Sequence, residues 1–391
     1  MEETFGQALR RYRGTLSLRA VAALAMCSKS LVGDLETGHR KPTPAIASAL
    51  DKALNAGGHL IHLAAHPPGT PVLQLAAALQ RDLADTLAAG PMTDASLDEW
   101  DFAVERHGRA TRYRADIELL PELVADFGDL NRVIGHRHPP AMRRRLLRNA
   151  ARLAGLMALT LLKLDDKGAA DWWRTGRNAA AAADDRPVLA WIYAQESYQH
   201  YYSGDLVGAV ELAVRAQQLA SGMPCAADAL AAPLEARAHA RLGRRDEAAD
   251  ALARGHVALE RLVPGDREPS AFGYDPGQYR FHAGNAWTHL HDTERAWEEQ
   301  QQALALYAPE NWLDRTLIML DRAVCLAWDG DPAAGAQIAA HAVLDLPEEH
   351  RSALIIYRAR DLAATVPASA RQLPEVRVLR EVLALPPGAN A

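Results

Sequence analysis

Leu16-Ser17-Leu18-Arg19-Ala20-Val21-Ala22, then Ser28-Lys29-Ser30-Leu31-Val32, then Leu35-Glu36-Thr37-Gly38-His39-Arg40-Lys41-Pro42 are the pieces of sequence that decide the fold of the N-terminal end of this 391-residue chain. Ser17 has the character of an N-cap for a helix over Leu18–Ala25, whose Leu18, Val21, Ala22 and Ala25 recur at helical spacing. Met26-Cys27 interrupts it. Ser28 caps a second helix, Lys29–Glu36, with Val32 and Leu35 inward, and Gly38 stops it. Upstream, Phe5, Leu9 and Tyr12 predict a helix over Phe5–Arg13. Downstream, Thr43 caps a further one that starts at Pro44 and turns Ile46, Leu50 and Leu54 inward. Two short helices joined by a tight turn form a helix-turn-helix unit.

These residues resemble the XRE family, the Cro/C1-type helix-turn-helix repressors, over about 60 residues. The closing Leu35-Glu36-Thr37-Gly38 with its basic loop is the most specific part. Leu18 and Met26 stand where the family often has Gln or Glu and Gly, and Asp34 places a carboxylate on the exposed helix face. The resemblance implies binding of double-stranded DNA, with the second helix of the unit in the major groove. Lys29, Ser30 and Asp34 would then read bases, and Ser28, Thr37, Arg40, Lys41 and Arg19 would hold phosphates. Family members act as dimers, so a homodimer is expected.

The charge distribution agrees with that assignment. Residues 1–63 hold eight Lys/Arg and five Asp/Glu, net +3, whereas the remainder holds 35 and 44, net −9. A basic head on an acidic body suits phosphate contact by the head alone. Alanine dominates the apolar 49 % and β-branched residues are sparse, which predicts an all-α chain. Cys27, Cys225 and Cys325 are far apart and odd in number, as in a reduced compartment. With no apolar run long enough for a membrane span and no basic-then-apolar leader, a cytoplasmic protein is expected.

Residues 67–96 read as a linker. It holds Pro67-Pro68-Gly69, a helical run Val72–Leu87 with Val72, Leu75, Leu79, Leu83 and Leu87 in one stripe, and Gly90-Pro91. The stripe suits packing on the body or pairing with a second copy. Residues 1–66 are thus assigned to the DNA-binding domain and 97–391 to a helical body.

In the body a pattern of turn and small residues recurs: Gly204-Asp205, Ala209, Ala216; Gly243, Ala248, Gly255; His291-Asp292, Ala296, Ala303; Gly330-Asp331, Gly335-Ala336, Ala342. A weaker copy is Asp165-Asp166, Ala169, Gly176. The small residues at 169, 209, 248, 296 and 336 lie 40, 39, 48 and 40 apart, and the long interval holds the insertion Pro264–Pro276. Paired helices need small residues where they cross closely, and a Gly-Asp pair suits the turn between them. The pattern resembles the tetratricopeptide repeat at a longer period. Two last helices, Ser352–Val366 and Pro374–Leu385, are expected to cap the solenoid.

In that register the first helix of each pair lines a concave groove with Trp191, Tyr198, Tyr201, Arg237, Arg241, Gln278, Phe281, Asn285 and His289. Asn pairs with peptide amides and Arg with carboxylates, so these residues suit a peptide, a small molecule or a protein partner. The aromatics serve equally as core. The combination resembles, in architecture, the RRNPP peptide-sensing regulators.

No phosphate loop, dinucleotide fingerprint, zincin helix, paired CxxC or nucleophile elbow occurs, so no enzyme, cofactor or metal is expected. His136 and His138 lack accompanying carboxylate or Cys ligands, and Arg143-Arg144-Arg145 with Arg148 reads as a solvated basic helix start. Together these readings predict a DNA-binding transcriptional regulator modulated through its repeat body. The alternative is a repeat scaffold for a protein partner, with DNA contact secondary or lost.

Overall fold

A computed structural model describes residues 3–65 and 71–384, without the side chains of 65 and 71–77. Pro67-Pro68-Gly69, the side chains of Val72 and Leu75, and Leu385 fall outside the described residues. Among the described residues the regular structure is wholly helical, with 20 α-helices and no strand. None of these helices is long and apolar enough to cross a membrane. The chain divides into two compact units, Met1–Leu87 and Ala88–Ala391.

The first unit opens with α1 (Phe5–Arg13), α2 (Leu18–Leu24), α3 (Lys29–Thr37), α4 (Pro44–Ala53) and α5 (His59–Ala65). Thr4, Ser17, Ser28 and Thr43 each accept a backbone N–H at the start of α1 to α4, which fixes where those helices begin. The expected inward residues form one core: Phe5, Leu9, Val21, Ala22, Val32, Leu35 and Leu50 are all buried, with Leu60 and Leu63 from α5 closing it. Gly6 permits the approach of α1 to α3, since a Cβ there would lie 2.6 Å from the Glu36 carbonyl oxygen. Buried Asp51 accepts from the Gly58 and Leu60 amides at 2.8 and 2.9 Å and so holds the turn into α5. The helix α6 (Pro71–Ala89) follows, with Leu79, Leu83 and Leu87 strongly exposed.

The second unit begins with α7 (Asp94–Ala110) and α8 (Asp116–Ile134). Five helical hairpins follow: α9/α10 (Pro140–Lys163, Ala169–Ala182), α11/α12 (Arg186–Ser203, Leu206–Ala220), α13/α14 (Ala226–Arg241, Arg245–Glu260), α15/α16 (Pro276–His289, Thr293–Leu306) and α17/α18 (Trp312–Trp328, Pro332–Leu344). Two further helices, α19 (Ala353–Thr365) and α20 (Pro374–Ala384), complete it.

The recurring turn signal has a simple conformational basis. Asp165, Gly204, Gly243, His291 and Gly330 all have positive φ, between 57° and 94°, at the same place in the five hairpins. Asp205, Asp292 and Asp331 then cap the returning helices through their side chains. The small residues Ala169, Ala209, Ala248, Ala296 and Ala336 are each no more than 2 % exposed where the helices cross. The first helices α9, α11, α13, α15 and α17 pack side by side in sequence order, giving a solenoid-like inner layer.

Met26 departs from ordinary backbone preference. Its φ is 50° in the turn between α2 and α3, and its side chain is 94 % exposed. A left-handed non-glycine residue costs about 1–2 kcal/mol, partly offset in a glycine by about 0.5–1 kcal/mol of chain entropy. Met26→Gly is therefore expected to stabilise the head by about 0.5–1 kcal/mol. Native-state exchange of the buried Val32 and Leu35 amides should slow by about threefold.

Candidate functional site

Two places in the molecule gather unusual polar chemistry: the outer face of α3, and the inner layer of the body.

On α3, Ser30, Asp34 and Thr37 sit at i, i+4 and i+7 and are exposed, while Val32 and Leu35 are buried on the opposite side. Ser28, Lys29, Arg40, Lys41 and Arg19 are exposed as well. The seven cations of residues 10–41 fall into two groups. Arg11 pairs with Glu3, and Arg10 and Arg13 pair with Glu36, whose side chain is 5 % exposed. Arg19, Lys29, Arg40 and Lys41 form no ion pair among the described residues. Lys29 and Arg40 stand at the two ends of α3, a helix roughly 14 Å long. Two polar side chains are partly committed to the fold. Ser28 Oγ accepts from the Leu31 amide at 3.2 Å, and Thr37 Oγ1 donates to the Gly33 carbonyl at 2.9 Å. Leu18 is half-buried against the core, near Gly33.

The body does not present the open groove expected of its first helices. Helix α19 lies against this inner layer and touches the first helix of all five hairpins. Leu354 packs with Leu162 of α9 and with Tyr201 and Tyr202 of α11. Tyr357 OH accepts from Arg241 of α13 at 2.7 Å. Arg358 donates to His289 of α15 at 2.9 Å, and pairs with Asp321 of α17 in a short contact buried on both sides.

The insertion before α15 covers another part of the layer. The Ala271 carbonyl accepts from the Trp191 indole at 2.7 Å and from Gln195 at 3.3 Å, and its amide donates to Gly108 at 2.8 Å. Gly108 must be glycine here, because a Cβ would lie 2.5 Å from the Phe272 ring.

Most of the residues assigned to peptide contact are therefore committed internally. Trp191 is 5 % exposed, and Arg237 and Asn285 are 1 % exposed. Asn285 Oδ1 accepts from Arg237 Nε at 2.8 Å and from Tyr201 OH at 3.1 Å, while its Nδ2 donates to Asp321 at 2.9 Å. The Arg237 guanidinium lies 4.5 Å from the Tyr201 ring centre. His289 is held neutral: burial, then the charge of Arg358, lowers its pKa well below the usual value. Arg241 is half-buried and occupied by Tyr357. The physical reason is that buried polar groups need partners: α19 supplies those of Arg241 and His289, the insertion that of Trp191, and neighbouring first helices those of Arg237 and Asn285.

Tyr198, Gln278 and Phe281 differ. They line a cavity of about 100 Å³ left between α19 and the insertion. Its apolar wall is built by Leu159, Leu162, Leu230, Phe281, Leu317 and Leu354. Its polar wall holds Arg112, Lys163, Gln195, Tyr198, Tyr202, Gln278, Asn311 and Asp314. Tyr198 OH is 2.7 Å from His282 Nε2, and Tyr274 OH is 2.8 Å from His282 Nδ1. Burial, then Arg237 and Arg112, keeps His282 neutral. It therefore donates to one phenol and accepts from the other. Sequence reading named Gln278, Phe281 and Asn285 around His282 but passed over His282 itself, along with Arg112 and Asp314. A titratable residue in the same helical register was the available signal.

The basic run at the start of α9 is partly neutralised. Arg145 pairs with Asp98 and Asp101, and Arg148 with Asp185. His138 hydrogen-bonds the Val133 carbonyl at 2.6 Å.

A family model described as a helix-turn-helix domain matches residues 4–64. No curated protein and no solved structure matches the chain.

The geometry of the inner layer predicts that Arg358→Met, which strands Asp321 at 1 % exposure, lowers the unfolding free energy of the body by about 3–5 kcal/mol in urea titrations. Arg241→Ala removes a half-exposed hydrogen bond and should cost about 1 kcal/mol in the same measurement.

Proposed function

We propose that the chain is a sequence-specific DNA-binding transcriptional regulator whose helical body responds to a bound ligand. The observation that carries the first half is the α3 face. Its exposed polar stripe is flanked at both ends by cations that have no carboxylate partner among the described residues, while the arginines of α1 are consumed by Glu3 and Glu36. Unpaired cations around an exposed helix suit contact with phosphates, whose neutralisation supplies most of the affinity for DNA. In this reading Lys29, Ser30 and Asp34 meet base edges, Asp34 accepting from a cytosine amino group. Arg19, Ser28, Thr37, Arg40 and Lys41 hold the backbone. The match of residues 4–64 to a helix-turn-helix domain supports the same assignment.

The body reading rests on the cavity rather than on an open groove. Architectural likeness to the RRNPP regulators remains part of the proposal, but the ligand site differs from an extended peptide channel. The alternative of a scaffold for a protein partner is less favoured, because α19 and the insertion already cover the layer such a partner would use.

The testing experiment is retention of sheared DNA from the protein's own genome by the purified chain. Retained fragments should share an inverted repeat and be lost when residues 1–66 are deleted. On such a site, Lys29→Ala and Arg40→Ala should each weaken binding and reduce the log-log salt slope by about one phosphate equivalent. A flat salt dependence, or Arg40→Ala binding like wild type, would assign DNA contact elsewhere and favour the scaffold.

An inverted repeat requires two copies. We assign the pairing surface to α6, where Leu79, Leu83 and Leu87 form a stripe with 60, 59 and 67 % exposure. Leu83→Glu is expected to shift the sedimentation coefficient from dimer to monomer and to reduce binding to the full repeat by at least tenfold, while half-site binding persists. A dimer unchanged by that substitution would place the interface elsewhere.

A further inference from the structure

The cavity of the inner layer is specific about the kind of molecule it can take. Its charges are already countered. Arg112 faces Asp275 at 3.5 Å and Asp314 at 3.4 Å, and Lys163 pairs with Asp116 at 2.8 Å. The Arg237 guanidinium stands over the Tyr198 and Tyr202 rings, 5.5 and 5.9 Å from their centres, so three carboxylates are matched by three cations. An added anion or cation would enter a poorly solvated space with no counter-ion left for it.

The free hydrogen-bonding positions are specific. The Arg112 side chain is only 10 % exposed, yet its Nε–H is buried with no acceptor. Tyr202 OH accepts from Arg237, which leaves its own proton unassigned. Gln278, which lines the cavity, uses its carbonyl oxygen for the Asp275 amide, and its NH₂ has no partner among the described residues. Donors without acceptors, on one side of a cavity walled by leucines on the other, ask for an uncharged oxygen acceptor joined to a short apolar body.

We infer that the body binds a small, uncharged amphipathic molecule with a carbonyl-type head, an ester, amide, ketone or lactone oxygen, and a short aliphatic tail. The head sits by Arg112, Tyr202 and Gln278, and the tail lies against Leu162, Leu317 and Leu354. This rests on the reading of the body as the sensing part. It replaces the peptide of an open groove by a ligand sized to the space that α19 leaves. Because Leu354 belongs to α19, an occupied cavity adds contacts to that helix and tightens its docking.

The test is saturation-transfer NMR on the full-length chain with three probes that share one tail: methyl hexanoate, sodium hexanoate and hexylammonium chloride. The method reads millimolar binding, so a weak probe still gives a signal. Methyl hexanoate is expected to receive saturation at both its tail and its ester methyl, at least fivefold more than either charged probe. Leu162→Phe and Leu354→Trp, which fill the cavity from two different helices, should each reduce that transfer at least tenfold while leaving the helical circular dichroism unchanged. Arg112→Met should cut transfer to the ester methyl more than to the tail. No transfer to the ester, equal transfer in a filled variant that remains folded, or preference for hexanoate or hexylammonium would overturn the assignment. DNA retention by the same wild-type sample, measured without any probe, reports separately on the regulator reading.

Discussion

The contact between Arg358 and Asp321 organises the body. Both side chains are 1 % exposed, and each is the centre of a wider set of bonds. Arg358 also reaches His289 and Asp361, and Asp321 also accepts from Asn285, which in turn holds Arg237. Helices α13, α15, α17 and α19 are thus tied through one buried polar network. Burying two ions is costly, and a buried pair gives only modest net stability over an apolar equivalent. What it does well is penalise every arrangement in which one partner is lost. Helix α19 can leave the inner layer only by stranding a carboxylate in the core. The network therefore holds α19 against this solenoid-like layer.

Legibility from sequence followed the range of the interaction. The hairpins were readable because their signal is local. A left-handed residue followed by an Asp cap, with a small residue a few positions on, repeats at Gly204, His291 and Gly330 whatever the rest of the chain does. The head was readable for the same reason: each of its first four helices is started by its own Thr or Ser cap. The fold-back of α19 was not. It depends on pairs 116 residues apart, as between Arg241 and Tyr357, and on the insertion meeting Trp191 80 residues away. Nothing in the local pattern of Arg237, Asn285 or His289 distinguishes a residue waiting for a peptide from one satisfied by its own chain. In the structure Arg241 meets Tyr357, His289 meets Arg358 and Asn285 meets Asp321, all within the chain.

The head shows the complementary case, in which residue type is ambiguous and pairing resolves it. Five arginines and three lysines lie in residues 1–63, and a charge count treats them alike. Arg10, Arg11 and Arg13 are engaged on α1, and Glu36 draws α1 toward α3 by taking two of them. Arg19, Lys29, Arg40 and Lys41 remain for solvent or a polyanion. Lys52 on α4 likewise forms no ion pair among the described residues. Asp34 places a carboxylate in the middle of the α3 face, which would repel a phosphate and, in the proposed role, would accept from a cytosine amino group.

The same bookkeeping of satisfied and unsatisfied groups bears on what the body can sense. An extended peptide along the first helices would have to displace α19, and would succeed only by offering Asp321 a replacement guanidinium and Arg241 a replacement for Tyr357. A small molecule entering the cavity displaces no helix. It meets Arg112 Nε, which has no acceptor, and leucines from α9, α13, α17 and α19. Its effect is then additive to the buried network instead of competitive with it. Under the inference above, contacts to Leu354 would strengthen the docked state of α19. Under the proposed sensing role, a ligand would act on an inner layer already closed by its own chain, through how firmly that closure holds.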